Sequence, residues 1–289
     1  MLSAFVRLSR FEFLIGGFVL FWVGTRAAEG VISPTSYLAG QGMVTTIQLV
    51  AQYANEYFDQ EPDALATNRT WFSGGSGALV SGRLPPRTAL VAARISSGLA
   101  VVFGVWAAFL DMRLGLVGVV ALLGSWWYSA PPMRLISRGW GELVAAVIVG
   151  GLVPLTGALA AGDPNWKLLA SFVLPLVVIN VVMLMALDAP DAISDIAAGK
   201  LTLWVRLGDE SARALHLFLV IGTLVAIGAL APWRPGWSTG LAFAATAMLL
   251  PQVALLRGDV IGTRANILTL SAVASLVTVS LGFGLGTMP

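Results

Sequence analysis

The chain has no cysteine and a single histidine, His216. The lack of cysteine excludes disulfides and thiolate metal centres. Charge is also scarce. Asp, Glu, Lys and Arg make up 11% of the 289 residues, while 57% are hydrophobic. Soluble domains carry about 25% charged residues, and a soluble fold of this length could not hide so much apolar surface. A bilayer can accommodate it. The formal net charge of +2 is too small to point to nucleic acid. Nucleotide and zinc signatures are missing: there is no P-loop, no GxGxxG after a strand and no HExxH. Strand-like alternation is absent as well, which argues against a membrane β-barrel.

What is present is a succession of long apolar runs. A membrane helix takes about 20 mainly apolar residues. On that basis nine spans are expected, at about 10–29, 39–58, 88–110, 113–129, 141–161, 166–187, 211–231, 237–256 and 265–286. The first run, from Phe13 to Gly24 behind Arg7 and Arg10, has some look of a secretory leader, with Ala27 and Ala28 following. The further runs make it more naturally the first of many spans. Glycine and alanine are frequent, which lets membrane helices approach closely.

Of the seventeen basic residues, thirteen, from Arg7 and Arg10 to Arg257 and Arg264, fall on the N-terminal side of this arrangement. Four, Arg26, Arg113, Lys167 and Arg234, fall on the other. The positive-inside rule therefore places the N-terminus and the loops after even-numbered spans in the cytoplasm, and Pro289 on the far side. The expected protein is all-α and integral to the cell (inner or plasma) membrane, with residues 1–289 forming one domain.

Two acidic clusters interrupt this apolar background. The first runs from Asn55 to Asp63 at the end of the second span, with Asn55, Asp59 and Asp63 four residues apart. The second follows the sixth span, with Asp188, then Asp191 and Asp195 four apart, and Lys200 close behind. Residues four apart share a helix face. Like charges at that spacing repel, so a cation is expected among them. Magnesium suits hard oxygen ligands and bridges carboxylates to substrate phosphates, and the lack of nearby histidine disfavours zinc. Acidic residues at helix ends are often merely solvated, but two regularly spaced clusters on the same side argue for a joint site. Gln41, Gln48 and Gln52 make the second span so polar that it should face the bundle interior or a water-filled cavity.

At these residues the chain resembles the UbiA family of membrane prenyltransferases. That family's first motif, N-D-x-x-D-x-x-x-D, corresponds to Asn55, Glu56, Asp59 and Asp63. Its second, D-x-x-x-D before G-K-x-T-L-x-V-R-L-G, corresponds to Asp191 and Asp195 followed by the run from Gly199 to Gly208. Tyr128-Ser129-Ala130-Pro131-Pro132-Met133-Arg134 looks like the family's Y-[ST]-x-P-x-x-[KR] stretch. The resemblance implies nine helices around a central cavity open at the cytoplasmic face, with two magnesium ions between the motifs and a lateral opening for an isoprenoid tail. It makes Asn55, Asp59, Asp63, Asp191 and Asp195 metal and diphosphate ligands, and Asp59, Asp191, Asp195, Arg134 and Lys200 catalytic. Arg10, Arg69, Tyr128 and Ser129 join Asn55, Arg134 and Lys200 as substrate contacts.

Segments around Asn55, Phe72 and Arg138 look most like the menaquinone-pathway branch, which prenylates 1,4-dihydroxy-2-naphthoate. The implied reaction is alkylation of an electron-rich ring by an allylic cation, with 4-hydroxybenzoate and chlorophyllide as alternative acceptors. A transporter or a non-catalytic lipid-binding scaffold fits the paired motifs less well. Three departures stand out. Glu56 replaces Asp, Pro62 interrupts helical hydrogen bonding before Asp63, and Asp188-Ala189-Pro190 stands where the naphthoate branch carries Asn-x-Arg. Trp71, Phe72, Trp126, Trp127, Tyr128 and Trp204 lie near the site in sequence and could shield a cation, although aromatics are also enriched at membrane interfaces. His216 is expected to be a packed or interfacial residue, and Asn180 is equally a candidate for helix–helix contact or substrate contact.

Overall fold

A computed structural model describes residues 2–66, 68–233 and 236–287. Arg234 and Pro289, used in the charge count and topology above, lie outside them. Short helix α1 (Leu2–Leu8) precedes α2 (Glu12–Thr25), α3 (Pro34–Phe58), the short α4 (Gln60–Leu65), α5 (Pro86–Leu110) and α6 (Met112–Ser129). Next come α7 (Gly141–Ala146), a π-helical turn (Val147–Leu152), α8 (Val153–Ala161) and α9 (Trp166–Asp188). The short α10 (Ala192–Ala197) and α11 (Leu203–Leu207) follow, then α12 (Asp209–Ala229), α13 (Gly236–Ala247), α14 (Gln252–Leu255) and α15 (Gly262–Leu285).

Six segments among the described residues are long and apolar enough to cross a membrane: Pro86–Leu110, Gly141–Ala161, Trp166–Ala197, Asp209–Ala229, Gly236–Leu255 and Gly262–Leu285. Helices also occupy the stretches read as the first, second and fourth spans, but they fall outside that set. Helix α2 has 14 residues, α3 is diluted by its glutamines, and α6 ends in Ser125-Trp126-Trp127-Tyr128-Ser129.

The distribution of polarity is inverted relative to a soluble protein. Phe109 and Phe218 are 86% and 69% exposed, where lipid tails would solvate them. Glu56, Asp59, Glu142 and Asp195 are buried. An apolar exterior and a polar interior are what a bilayer demands. His216 is buried, as expected for a packed residue. Asn180 donates to the Leu176 carbonyl of its own helix at 2.8 Å, so its amide nitrogen satisfies α9 itself.

Local sequence explains the helix boundaries. Ser33 caps α3 by accepting from the Ser36 N–H at 3.0 Å, with Pro34 at the first helical position. Asp111 caps α6, and Asn165 caps α9. The π turn sits just before Pro154, which has no N–H to give the preceding turn. Gly150 in that turn lies against α9, where a Cβ would come within 2.7 Å of the Leu176 carbonyl oxygen.

Helices α2 and α8 pack backbone to backbone. A Cβ on Gly24 would meet the Pro154 oxygen at 1.9 Å, and one on Gly157 would meet the Phe21 oxygen at 2.0 Å. Substituting Gly157→Val should force these helices apart and lower the thermal stability of the detergent-solubilised protein by roughly 1–3 kcal/mol, the range for overpacking. Gly222→Ala, with nothing within 4 Å of the new Cβ, should not lower it. Parallel melting curves of the two variants check this.

Candidate functional site

Both acidic motifs lie at breaks in helices. Helix α3 stops at Phe58. Asp59 adopts φ −102° and ψ 20°, and the chain restarts as α4 with Pro62 in its first turn. Asp63 therefore stands on a separate short helix, off the face of α3 and not in the loop that Pro62 suggested. Helix α9 ends at Asp188, Pro190 enters a 3-10 turn, and Asp191 leads into α10. Neither motif is a plain helix face.

The breaks turn both motifs into one cavity of about 200 Å³. Asn55, Asp59, Asp63, Asp191 and Lys200 line it, together with Arg10, Tyr128 and Asp188. Lys200 Nζ lies 2.9 Å from Asp59 Oδ2 and 3.5 Å from Asp195 Oδ1. Burial works against the Lys200 charge, but Asp59 and Asp195 outweigh it and hold its pKa well above the usual lysine range. Asp195 stands behind Lys200, outside the cavity lining. Asn55 donates to Asp59 at 2.9 Å and to Ser129 at 3.2 Å, so Ser129 acts on the site through Asn55. Only the Asn55 carbonyl oxygen remains to accept from or coordinate a ligand.

The loop after α4 closes one side. Gly74 N–H donates to Asp191 Oδ2 at 2.8 Å. Gly75, at φ +67°, leaves room for Asp63, since a Cβ there would lie 2.0 Å from Asp63 Oδ2. Glu56 does not reach the cavity. Its two oxygens accept the Ser76 N–H at 2.6 Å and the Ser76 hydroxyl at 2.7 Å, which pins the loop to α3. Sequence reasoning missed this clamp; the only signal was the departure at Glu56 beside the glycine-rich run.

The basic residues separate into two groups. Arg10, with φ 42°, lines the cavity and is held by the Phe72 carbonyl at 2.8 Å and by the face of Phe13. Arg69 donates to the Gly74 carbonyl at 2.9 Å and to the Asp63 carbonyl at 2.5 Å, and so holds the loop. Arg134 is exposed and outside the lining. Of the aromatics singled out, Phe72 and Tyr128 reach the cavity. Trp204 is buried with its Nε1 donating to Asp209 at 3.0 Å, and Trp71 is 84% exposed.

Two observations test whether these residues suit a metal-bound diphosphate. Asp59 Oδ1 and Asp191 Oδ1 are buried without a partner. Burial pushes the Asp63 carboxyl up to about 7, with the neighbouring charges of Glu56 and Asp59 adding to it. Uncompensated acceptor oxygens fit a hard cation. Among the described residues no group of three or more acidic side chains is drawn together as a preformed metal cage, in keeping with Lys200 standing between Asp59 and Asp195.

A second, largely apolar cavity adjoins the first, sharing Ala51 and Tyr128 with it. It runs between α3, α6 and the π turn, past Met43, Gly118, Ile148 and Thr156.

A model of the UbiA prenyltransferase family matches residues 17–266. A 1,4-dihydroxy-2-naphthoate octaprenyltransferase from Mycobacterium tuberculosis is 32% identical over 222 residues, covering 73% of each chain. One from Bacillus subtilis is 25% identical over 195 residues, covering 65% of this chain and 61% of that one. Among solved structures, a UbiA homolog from Archaeoglobus fulgidus bound to GPP and Mg2+ superposes with TM-score 0.74 at 15% identity, over 98% of this chain and 99% of that one. The apo structure of a UbiA homolog from Aeropyrum pernix K1 gives 0.68 at 17% identity, over 95% and 96%.

Asp63 yields a pH prediction. The folded state holds its proton to about 7, whereas an ordinary aspartate in the unfolded chain releases it near 3.8. Between those values the folded protein binds more protons than the unfolded chain, so its stability falls as pH rises. Metal-stripped protein should therefore melt at lower temperature at pH 7.5 than at pH 5, and magnesium should recover the loss at pH 7.5. Melting curves at both pH values with and without magnesium check this.

Proposed function

The chain belongs to the UbiA prenyltransferase family, and from that premise we propose that it transfers an isoprenoid chain from its diphosphate to an aromatic acceptor, 1,4-dihydroxy-2-naphthoate of menaquinone biosynthesis. The observation that carries this reading is the pair of adjoining cavities. One is lined by acidic residues and Lys200, the other is apolar, and Ala51 and Tyr128 belong to both. A diphosphate suits the first and a hydrocarbon tail the second, and in this reading the bond to be broken lies near Tyr128. The naphthoate acceptor is supported by the relatives that prenylate it, and an isoprenoid diphosphate with magnesium by the similar fold bound to GPP and Mg2+.

Asn55, Asp59, Asp63 and Asp191 would hold magnesium, two ions in the proposed arrangement, with Asp195 reached through Lys200. When bound, magnesium supplies neutralisation of the departing diphosphate. Lys200 and Arg10 add fixed positive charge on the same cavity, aimed at the leaving group. Arg69 and Arg134 would reach the diphosphate only by rearrangement of their loops. The apolar cavity keeps water from the allylic carbon as its bond to oxygen lengthens. The electron-rich ring carbon then attacks that carbon, and a proton or carbon dioxide leaves the ring. Tyr128, which lines both cavities, would stand beside the developing cation. The basic residues beside the motifs orient this site toward the cytoplasm, with the whole chain acting as one unit in the plasma membrane.

Asp59→Ala and Asp191→Ala should each lower transfer at least a hundredfold while the protein still inserts and purifies. EDTA should stop the wild-type reaction and magnesium should restore it. Product formation from a labelled isoprenoid diphosphate with a panel of aromatic acceptors checks both. Wild-type turnover in either variant, or indifference to chelation, would overturn the metal-site reading. Transfer to a different acceptor would correct the naphthoate assignment alone.

A further inference from the structure

Helices α1, α3 and α5 enclose an open groove of about 530 Å³ that shares no lining residue with either cavity of the site. Phe5 and Tyr53 form one wall, their rings stacked with centroids 6.0 Å apart. The Ser9 hydroxyl donates to the Phe5 carbonyl at 2.9 Å and lies 2.7 Å from the Tyr53 hydroxyl, so this wall is fixed before anything enters. Along α5 the lining recurs at Arg87, Val91 and Ile95, four residues apart on one helix face. Val91 and Ile95 are exposed, on a helix long and apolar enough to cross a membrane. Arg87 and Ile95 stand about 12 Å apart along the helix axis, so the groove has a charged end and an apolar end.

The charged end has no counterion within the protein. Arg7, Arg83, Arg87 and Arg94 are all exposed, and no acidic residue occurs before Glu12 or between Asp63 and Asp111. The ion pairs among the described residues belong to Arg10, Arg113 and Lys200 instead. The planar guanidinium of an arginine pairs bidentately with phosphate. An apolar groove with an arginine at one end therefore has the complementary pattern to a phospholipid, and basic pockets between membrane helices attract anionic headgroups. A zwitterionic lipid would leave the excess positive charge unmet. A second copy of the chain suits the groove poorly, because a two-fold contact would bring the same arginines face to face.

We propose that the groove between α1, α3 and α5 binds an anionic phospholipid, with the headgroup phosphate on Arg87 and an acyl chain between the Phe5–Tyr53 wall and Val91 and Ile95. The site goes beyond the transfer reading, and binding there needs no turnover. Ser9, which holds the wall, precedes Arg10, a residue of the acidic cavity. An occupied groove thus braces α1 against α3 beside that arginine. A ligand that binds the folded state alone raises its stability, so the lipid also raises the melting temperature.

The test titrates the purified chain in detergent with phosphatidylglycerol or phosphatidylcholine of the same acyl chains, reading bound lipid by native mass spectrometry and stability by melting curves. Wild type should retain phosphatidylglycerol at least fivefold better than phosphatidylcholine, about the effect of one arginine beside an anionic surface, and should melt higher with it. Arg87→Ala should bring the preference below twofold while melting like wild type in phosphatidylcholine, which reports an intact fold. Ile95→Trp, which fills the groove and keeps Arg87, should weaken phosphatidylglycerol retention at least fivefold. Arg257→Ala removes an exposed arginine outside the groove and should keep the wild-type preference. Glycerol 3-phosphate, a headgroup without chains, should not raise the melting temperature. Equal retention of the two lipids by wild type would overturn the site, as would an unchanged preference in Arg87→Ala, an equal loss in Arg257→Ala or unaffected binding in Ile95→Trp. Stabilisation by glycerol 3-phosphate as strong as by lipid would make it a phosphate site only. A wild-type dimer that Ile95→Trp splits would put a second copy in the groove and overturn the lipid assignment.

Discussion

The ammonium of Lys200, 2.9 Å from Asp59 and 3.5 Å from Asp195, ties the end of α3 to α10 across the middle of the molecule. Each carboxylate alone would be a buried charge with no counterion, and breaking such a pair typically costs about 3–5 kcal/mol. The backbone supports the contact. Lys200 N–H donates to the Asp195 carbonyl at 2.8 Å, and Gly199 takes φ +69° to bring the chain round. Leu201 pairs with Arg138, whose carbonyl also accepts from Arg206 at 3.0 Å. The loop after α6 and the loop after α10 are thereby joined, and the position of Lys200 follows from that junction.

A second set of contacts fixes the opposite wall. Glu56 holds Ser76, Arg69 holds Gly74, and Gly74 N–H reaches Asp191. The first acidic motif thus contributes ligand-type oxygens from Asp59 and Asp63 and a structural clamp from Glu56. Within one nine-residue stretch, neighbouring carboxylates serve different purposes because the helix break after Phe58 points them in different directions.

Much of this was legible in sequence. The spacing of Asn55, Asp59, Asp63, Asp191 and Asp195 indicated a shared site, and Pro62 and Pro190 indicated broken helices. The glutamines of α3 indicated a span facing inward; Gln48 and Gln52 both face cavities. The basic residues were harder to read. Arg69 follows the first acidic motif much as Lys200 follows the second, and Arg134 ends the stretch that begins at Tyr128, yet backbone carbonyls capture the Arg69 guanidinium and Arg134, itself left-handed at φ 44°, stays outside the lining. Sequence distance cannot say on which side of a turn a flexible side chain emerges. Glu142 was unreadable for a related reason: the N–H that it accepts from belongs to Leu203, in a distant segment. The number of crossings is hard to count where helices are short or polar, as α2 and α3 are, since composition alone cannot separate a cavity-lining span from a soluble helix.

The adjoining cavities have a consequence for turnover. In the proposed reaction the incoming lipid is held at its charged end and dissolved at its apolar end. Bond cleavage separates the two, so the product keeps the hydrocarbon and loses the group that the carboxylates, the cation and Lys200 grip. Its remaining affinity is for an apolar groove whose walls resemble the surrounding lipid in polarity, so partition back into the bilayer costs little. Diphosphate, by contrast, leaves toward water on the polar side. Two products with opposite solvents thus depart from one catalytic centre in different directions, and neither has to cross the other's path.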